Sequence, residues 1–250
     1  MLYLIGIGLH DEKDISVKGL EAVKSCDKIY LEVYTSRLAC DISKLEELYG
    51  KKIILANRDV VEKQAEETIL KDAQEGNCAF LVIGDIFGAT THLDLMTRAK
   101  ESGIDCEIIH NASVLNVIGV IGLELYKYGK ATSIPFENEN VITPYTMFEK
   151  NQSIGLHTLF LLDLRPEENR YLTIKESIEF LLRVESKEKK GLISEDVMAI
   201  GCAHLGSKDQ TIIFGSLKEL KEKDFGESPY CLIIPGKMHF MEKEALEVWR

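Results

Sequence analysis

"CAFLVIGDIFGATTH", residues 78–92, decides the architecture. Its first half is an apolar run with no polar alternation. A strand apolar on both faces has to be covered on both faces, which is the condition of a mostly parallel sheet flanked by helices. The run then ends in Gly84-Asp85, with Gly88, Thr90, Thr91 and His92 following. A lone carboxylate at the end of an apolar strand costs free energy unless donors meet it. Neighbouring N–H groups, Thr90 or Thr91, or the amine or hydroxyls of a ligand could serve. The plainer alternative is an aspartate that only organises its own turn.

Outward from this stretch the first half alternates. Apolar runs at 2–8, 28–34, 51–56 and 106–110 read as further strands. Between them, helical spacing places Val17, Leu20, Ala22 and Val23 on one face of 16–25. It places Val60, Val61, Ala65, Ile69 and Leu70 on one face of 59–75, and Leu93, Leu95, Met96 and Ala99 on one face of 90–102. The second half differs. A helix capped by Ser113 is expected to run to about Tyr128, apolar nearly all round and therefore buried. Strands are expected at 131–136, 157–163, 197–203, 210–214 and 230–234. Thr173 with Glu176, and Ser216 with Glu219, have the spacing of capping boxes that start helices, and a last helix starts at His239. The expected fold is α/β in two domains, 1–111 with a mostly parallel sheet and 112–250 with a mixed sheet.

In such a sheet ligands bind beyond the carboxyl ends of the strands. Three of those ends are polar or glycine-rich: "GIGLHD" (6–11), "IGDIFGATTH" (83–92) and "HNAS" (110–113). The first lacks the third glycine of a dinucleotide fingerprint, because position 11 is Asp, so alone it is as compatible with a tight turn as with a ligand loop. Three such ends on one rim favour a pocket.

Composition narrows the class. Hydrophobic residues make up 45% and charged residues 28% of 250, with a net charge of −11. So acidic a chain repels phosphate backbones, and "KEKK" (187–190) reads as a solvated helix end, so no nucleic-acid partner is expected. The six cysteines lack C-x-x-C spacing, and several lie in apolar runs. They read as small buried hydrophobes of a reducing compartment rather than as disulfides or a metal site. The longest apolar run, 112–125, contains Asn116 and Glu124 and is too short for a bilayer. With no leader-like start, a cytoplasmic protein without membrane association is expected.

Several long stretches together resemble one family nearly end to end. They are "YLIGIGLHDEKDISVKGLEAVKSCDKIYLEVYTS" (3–36), "GDIFGATTHLDL" (84–95), "HNASVLNVIG" (110–119), "LYKYGK" (125–130), "HTLFLLDL" (157–164) and "DFGESPYCLIIPGKMHFME" (224–242). The chain resembles the diphthine synthases, of the tetrapyrrole-methylase-like (class III) methyltransferases. The resemblance implies two α/β domains with S-adenosylmethionine (SAM) folded between them, S-adenosylhomocysteine as product, and a homodimer. It also implies methylation of the amino group of a modified histidine, the diphthamide precursor, on translation elongation factor 2. The eukaryotic type adds a methyl ester, and "GDIFGATTH" and "HNAS" lean that way. Implied cofactor contacts are Leu9, Asp85, Gly88, Ser113, Val114, Leu162, Leu205 and Tyr230. Two positions depart from the family pattern: Ile86 replaces a proline that would stiffen the loop, and Tyr230 replaces a common histidine.

Methyl transfer from a sulfonium needs alignment and a neutral amine. His10, His92 and Asp11 are the candidate proton acceptors by chemistry, and no catalytic residue is assigned. Two other readings remain open at this point. A tetrapyrrole methyltransferase would favour a basic cleft for its carboxylates, and a SAM-binding protein without catalysis would bind but not turn over.

Overall fold

The computed structural model describes residues 1–250. The chain divides into two compact units, Met1–Val117 and Ile118–Arg250. The first unit ends at Val117 rather than 111, because residues 111–113 bond to and pack against the loops that leave the first sheet.

In the first unit, β1 (Leu2–Gly6), α1 (Val17–Ser25), β2 (Lys28–Glu32), α2 (Ile42–Tyr49) and β3 (Ile54–Ala56) come first. Then follow α3 (Arg58–Glu62), α4 (Ile69–Glu75), β4 (Cys78–Val82), α5 (Leu93–Glu101), β5 (Cys106–Ile109) and the single turn α6 (Val114–Val117). The sheet order is β3-β2-β4-β1-β5. Every pairing is parallel, with Leu2 opposite both Cys78 and Cys106. All five residues of β4 are buried, and alternate residues feed opposite faces. Leu4, Cys78, Phe80 and Val82 pack with Val61, Ile69, Leu70 and Leu95. Ile5, Ala79 and Leu81 pack with Val23, Leu45 and Tyr49. The unbroken apolar runs thus become two cores on one sheet, as expected of a parallel layer.

The second unit holds β6 (Thr132–Ile134), α7 (Thr143–Ser153), β7 (Thr158–Leu162), β8 (Leu164–Arg165), β9 (Arg170–Tyr171) and α8 (Ile174–Glu188). It continues with β10 (Met198–Ala203), β11 (Thr211–Ser216), α9 (Leu217–Lys221), β12 (Tyr230–Ile234) and α10 (Phe240–Leu246). Its main sheet, β11-β10-β12-β7-β6, is antiparallel except for the β6–β7 pair. Both capping boxes form: Thr173 Oγ1 accepts the Glu176 N–H while Glu176 accepts the Thr173 N–H, and Ser216 with Glu219 repeats the pattern. Removing the first cap by Thr173→Ala should cost about 1 kcal/mol. A thermal melt should read this as a drop of roughly 2–4 °C.

Three expectations fail. The 113–128 segment is not one buried helix. After α6 the chain runs through 3₁₀ turns at Ile118–Ile121 and Leu125–Lys127. Gly122 then turns the chain at φ +97°, and a Cβ there would lie 2.4 Å from the Ala245 Cβ where α10 packs, so no helix continues through it. Leu115, Val120, Leu125 and Tyr126 are consequently exposed. Segment 59–75 breaks into α3 and α4, because its periodicity reports burial of both pieces in one core and not a continuous helix. Finally, α2 and α7 occupy stretches read as having no element. α2 buries only Leu45 and Tyr49, too few apolar positions to stand out as a periodic pattern.

All six cysteines are free thiols. Cys26, Cys78, Cys202 and Cys231 are buried, and Cys40 and Cys106 are half-buried. No helix is long and apolar enough to cross a membrane.

Candidate cofactor and methyl-transfer site

β1 and β4 lie side by side, and their following connections leave toward opposite edges of the sheet. This is the switch point where open α/β sheets take ligands. The loops after β1, β4 and β5 are tied to one another there. Gly8 and Gly84 exchange backbone hydrogen bonds, at 3.2 and 2.6 Å. Asn111 Nδ2 donates to Gly6 O and to Asp14 O, both at 3.0 Å. Asp14 Oδ2 in turn accepts the Leu9 and His10 N–H groups. A shallow pocket of about 440 Å³ at the opposite, amino edge is lined by Asp27, Lys28, Lys51 and Lys52. Two of its lysines are already engaged, Lys51 by the Lys24 and Cys26 carbonyls and Lys52 by Glu46.

Close backbone approach explains the glycines. A Cβ on Gly6 would lie 2.6 Å from Gly84 O and 3.0 Å from Asp85 Cα, and one on Gly88 would lie 2.7 Å from both Cβ and Oγ of Ser113. The glycines are therefore demanded by the interlocking of the three loops at the strand ends, where Gly6 and Gly84 are buried and Gly88 is half-buried. Among these loops Asp85 is half-buried, an acceptor suited to the hydroxyls or amine of a ligand.

Asp85 has found donors from its own chain. Oδ1 accepts the Phe87 N–H at 3.0 Å, while Oδ2 accepts the Asn111 N–H at 3.0 Å and faces His110 Nδ1 at 2.9 Å. Partial burial works to raise its pKa. The Phe87 and Asn111 N–H groups and His110 outweigh burial and hold it below the usual aspartate value. With three donors placed, a carboxylate's remaining lone-pair capacity lies on Oδ1. Thr90 does not serve Asp85; its Oγ1 donates to Ile86 O at 2.6 Å.

Ile86 is held by packing. Its side chain is fully buried in the core with Phe80, Val82 and Leu95. Ser113 is buried but makes no side-chain cap. Instead Asn116 Oδ1 accepts the Ser113 N–H at 2.7 Å. Val114 opens α6, and Leu9 is half-buried in the β1 loop. In the first unit, therefore, Leu9, Asp85, Gly88, Ser113 and Val114 lie on interlocked loops. In the second unit, Leu162 ends β7, Tyr230 starts β12 and Leu205 lies just past β10. The register pairs Cys231 with Leu161 and Tyr230 with Ala203, so all three share one edge of that sheet. Tyr230 spends its hydroxyl on Gly226 O.

The candidate proton acceptors fare differently. His92 is buried, with Nε2 3.5 Å from the buried Glu32 and its ring edge-on to Phe80 and Tyr34, so it is part of the packing. Asp11 Oδ1 accepts the Lys13 N–H in its own turn. Sequence reading placed His110 and Asn111 on the rim within "HNAS" but not their contacts, and it missed Asp14. Nothing local ties residue 14 or 110 to residues 9 or 85.

Comparison with known proteins gives the relationship. The family described as Tetrapyrrole (Corrin/Porphyrin) Methylases matches residues 1–221. A probable diphthine methyl ester synthase of Arabidopsis thaliana is 47% identical, covering 100% of this chain and 98% of its own. The diphthine synthase of Methanocaldococcus jannaschii is 44% identical over 99% and 98%. A crystal structure of a diphthine synthase superposes with a TM-score of 0.91 at 34% identity, covering 99% and 95%. The chain therefore belongs to the tetrapyrrole methylases and, within them, to the diphthine and diphthine methyl ester synthases, and it is a methyltransferase.

Proposed function

We propose that this chain transfers methyl groups from SAM to the diphthamide precursor, a modified histidine of translation elongation factor 2, releasing S-adenosylhomocysteine. The observation that carries the proposal is the glycine-lined rim made by the β1, β4 and β5 loops, on a chain of this family. Bound there, SAM supplies a methyl group on an already activated sulfonium. The protein's part is then alignment, which in the best cases supplies on the order of 7–11 kcal/mol.

In this reading Gly6 and Gly84 let the loops close on one another, Gly88 lies at the cofactor's edge, and Asp85 Oδ1 keeps acceptor capacity for its polar groups. Leu9 and Val114 supply apolar contact, and Ser113 offers a hydroxyl. Leu162, Leu205 and Tyr230 are assigned to the same ligand on the resemblance. The same reading carries a homodimer working in the cytoplasm, with elongation factor 2 as its protein partner. The acidic chain, at −11, disfavours the polycarboxylate tetrapyrroles as substrates.

Incubation with SAM and precursor-bearing elongation factor 2, followed by mass spectrometry of the factor, should show successive methyl increments on the modified histidine. Counting them after exhaustive reaction separates the trimethyl from the methyl-ester product. SAM binding by calorimetry with no mass increment would leave a binding protein and remove the enzyme.

A further inference from the structure

Transfer to an amine has a requirement that alignment cannot meet. An aliphatic ammonium holds its proton at neutral pH and has no lone pair to attack with. Three histidines of this chain lie against carboxylates. His92 beside Glu32 and His157 beside Glu242 are 1% and 0% exposed, whereas His110 beside Asp85 is 68% exposed. His110 follows β5 on the rim described above, and the Phe87 ring meets it edge-on at 6.2 Å.

We propose that His110 is the general base of the N-methyl transfer, held by Asp85 with its proton on Nδ1 so that Nε2 is free to accept the substrate's proton. This rests on the methyl-transfer reading above. The tautomer follows from the partner. Asp85 is an ionised carboxylate that can only accept, so the nitrogen 2.9 Å from it must carry hydrogen. Asp85 is in turn fixed by two backbone N–H groups, from Phe87 and Asn111, so it acts as a positioning residue that cannot swing away. An imidazole with one nitrogen bound to a carboxylate and the other facing solvent is the arrangement of an oriented base. It also places a counter-charge beside the imidazolium once formed.

The step balances. The substrate ammonium gives a proton to Nε2, and the freed lone pair forms the new N–C bond. The C–S bond breaks with its electron pair remaining on sulfur. The imidazolium, stabilised by Asp85, then passes its proton to water. Each N-methylation of an ammonium releases one proton in this way, so the base must reset between methyl groups, which an exposed ring can do.

The test uses the full chain, SAM and precursor-bearing elongation factor 2, with His110→Asn and His110→Ala. The Asn amide nitrogen can take the place of Nδ1 toward Asp85 but cannot accept a proton. In the SAM-free protein, nitrogen–proton correlation spectra should place the neutral ring's proton on Nδ1. Calorimetric SAM affinity of His110→Asn should stay within about threefold of wild type. Its single-turnover N-methylation should fall by about 10²–10⁴-fold. Added imidazole should restore part of the rate to His110→Ala, because the exposed site leaves room for it.

A neutral ring protonated on Nε2, wild-type N-methylation by His110→Asn, or a deficit in His110→Ala that imidazole leaves unchanged would each overturn the assignment. So would a rate loss that merely parallels lost SAM affinity, which is the signature of a structural prop. Failure of the parent reading shows separately, in a wild-type protein that binds no SAM or adds no methyl group, and the assignment then falls with it.

Discussion

Glu242→Ala should lower stability by about 3–5 kcal/mol, the range for breaking a buried ion pair from one side. For a chain of this size that corresponds to a fall in melting temperature of roughly 6–20 °C. Glu242 is 1% exposed and gathers four donors: the Glu124 and His239 N–H groups, Lys127 Nζ and His157 Nε2. His157 Nδ1 accepts the Gly236 N–H, so its Nε2 carries the proton that goes to Glu242. Burial lowers the His157 pKa more than Glu242 raises it, and the ring stays neutral. One carboxylate thus ties α10, the turn before β6 and the start of β7 together. Removal strands Lys127 and His157 in a site built to be satisfied.

The same carboxylate sets a pH dependence. Burial pushes the Glu242 pKa upward, but Lys127, the two N–H groups and His157 outweigh it and bring it from the usual 4.5 down to about 2. A folded-state pKa below the unfolded one means that the contribution is complete above the unfolded value and is lost as pH falls through the folded one. Wild-type stability should therefore drop between about pH 5 and pH 2. Glu242→Gln should be less stable at pH 7 and show a shallower acid slope. Parallel acid profiles for the two proteins would show that the carboxylate's charge is not what its four donors stabilise.

Gly6→Val should weaken SAM binding by about 5- to 150-fold, the equivalent of 1–3 kcal/mol of overpacking strain. Gly6 has no left-handed backbone to explain it, so space alone demands glycine. An added Cβ would meet Gly84 O at 2.6 Å and Asp85 Cα at 3.0 Å on the β4 loop, and Asn111 Cβ at 3.0 Å on the β5 loop. None of these is the free end of a flexible side chain, so the loops must part. Calorimetry on a variant whose circular dichroism is unchanged would measure the effect. Undiminished SAM affinity there would place the ligand away from these loops.

Much of this molecule is set by short-range chemistry that can be read in the chain. Residues 2–6 and 78–82 are apolar on both faces, and only a sheet covered twice can bury them. Thr173 and Glu176, or Ser216 and Glu219, form their boxes within one turn and need no distant partner. Strand ends rich in Gly, Asp and Asn mark the rim for the same reason, since backbone conformation and turn hydrogen bonding are local.

What the tertiary structure alone decided is long-range. The 113–128 stretch has the composition of a buried helix, yet it is helical only to Val117, and Gly122 turns where Ala245 packs against it. Asp85 reads as waiting for a ligand, yet Asn111 and His110, 26 and 25 residues away, reach it first. Glu242 is joined to His157, Lys127 and Glu124 across 85 to 118 positions. A hydrogen bond depends on distance and angle to within a fraction of an ångström. No residue's neighbours along the chain carry that information about a partner a hundred residues away; only the packed sheets do.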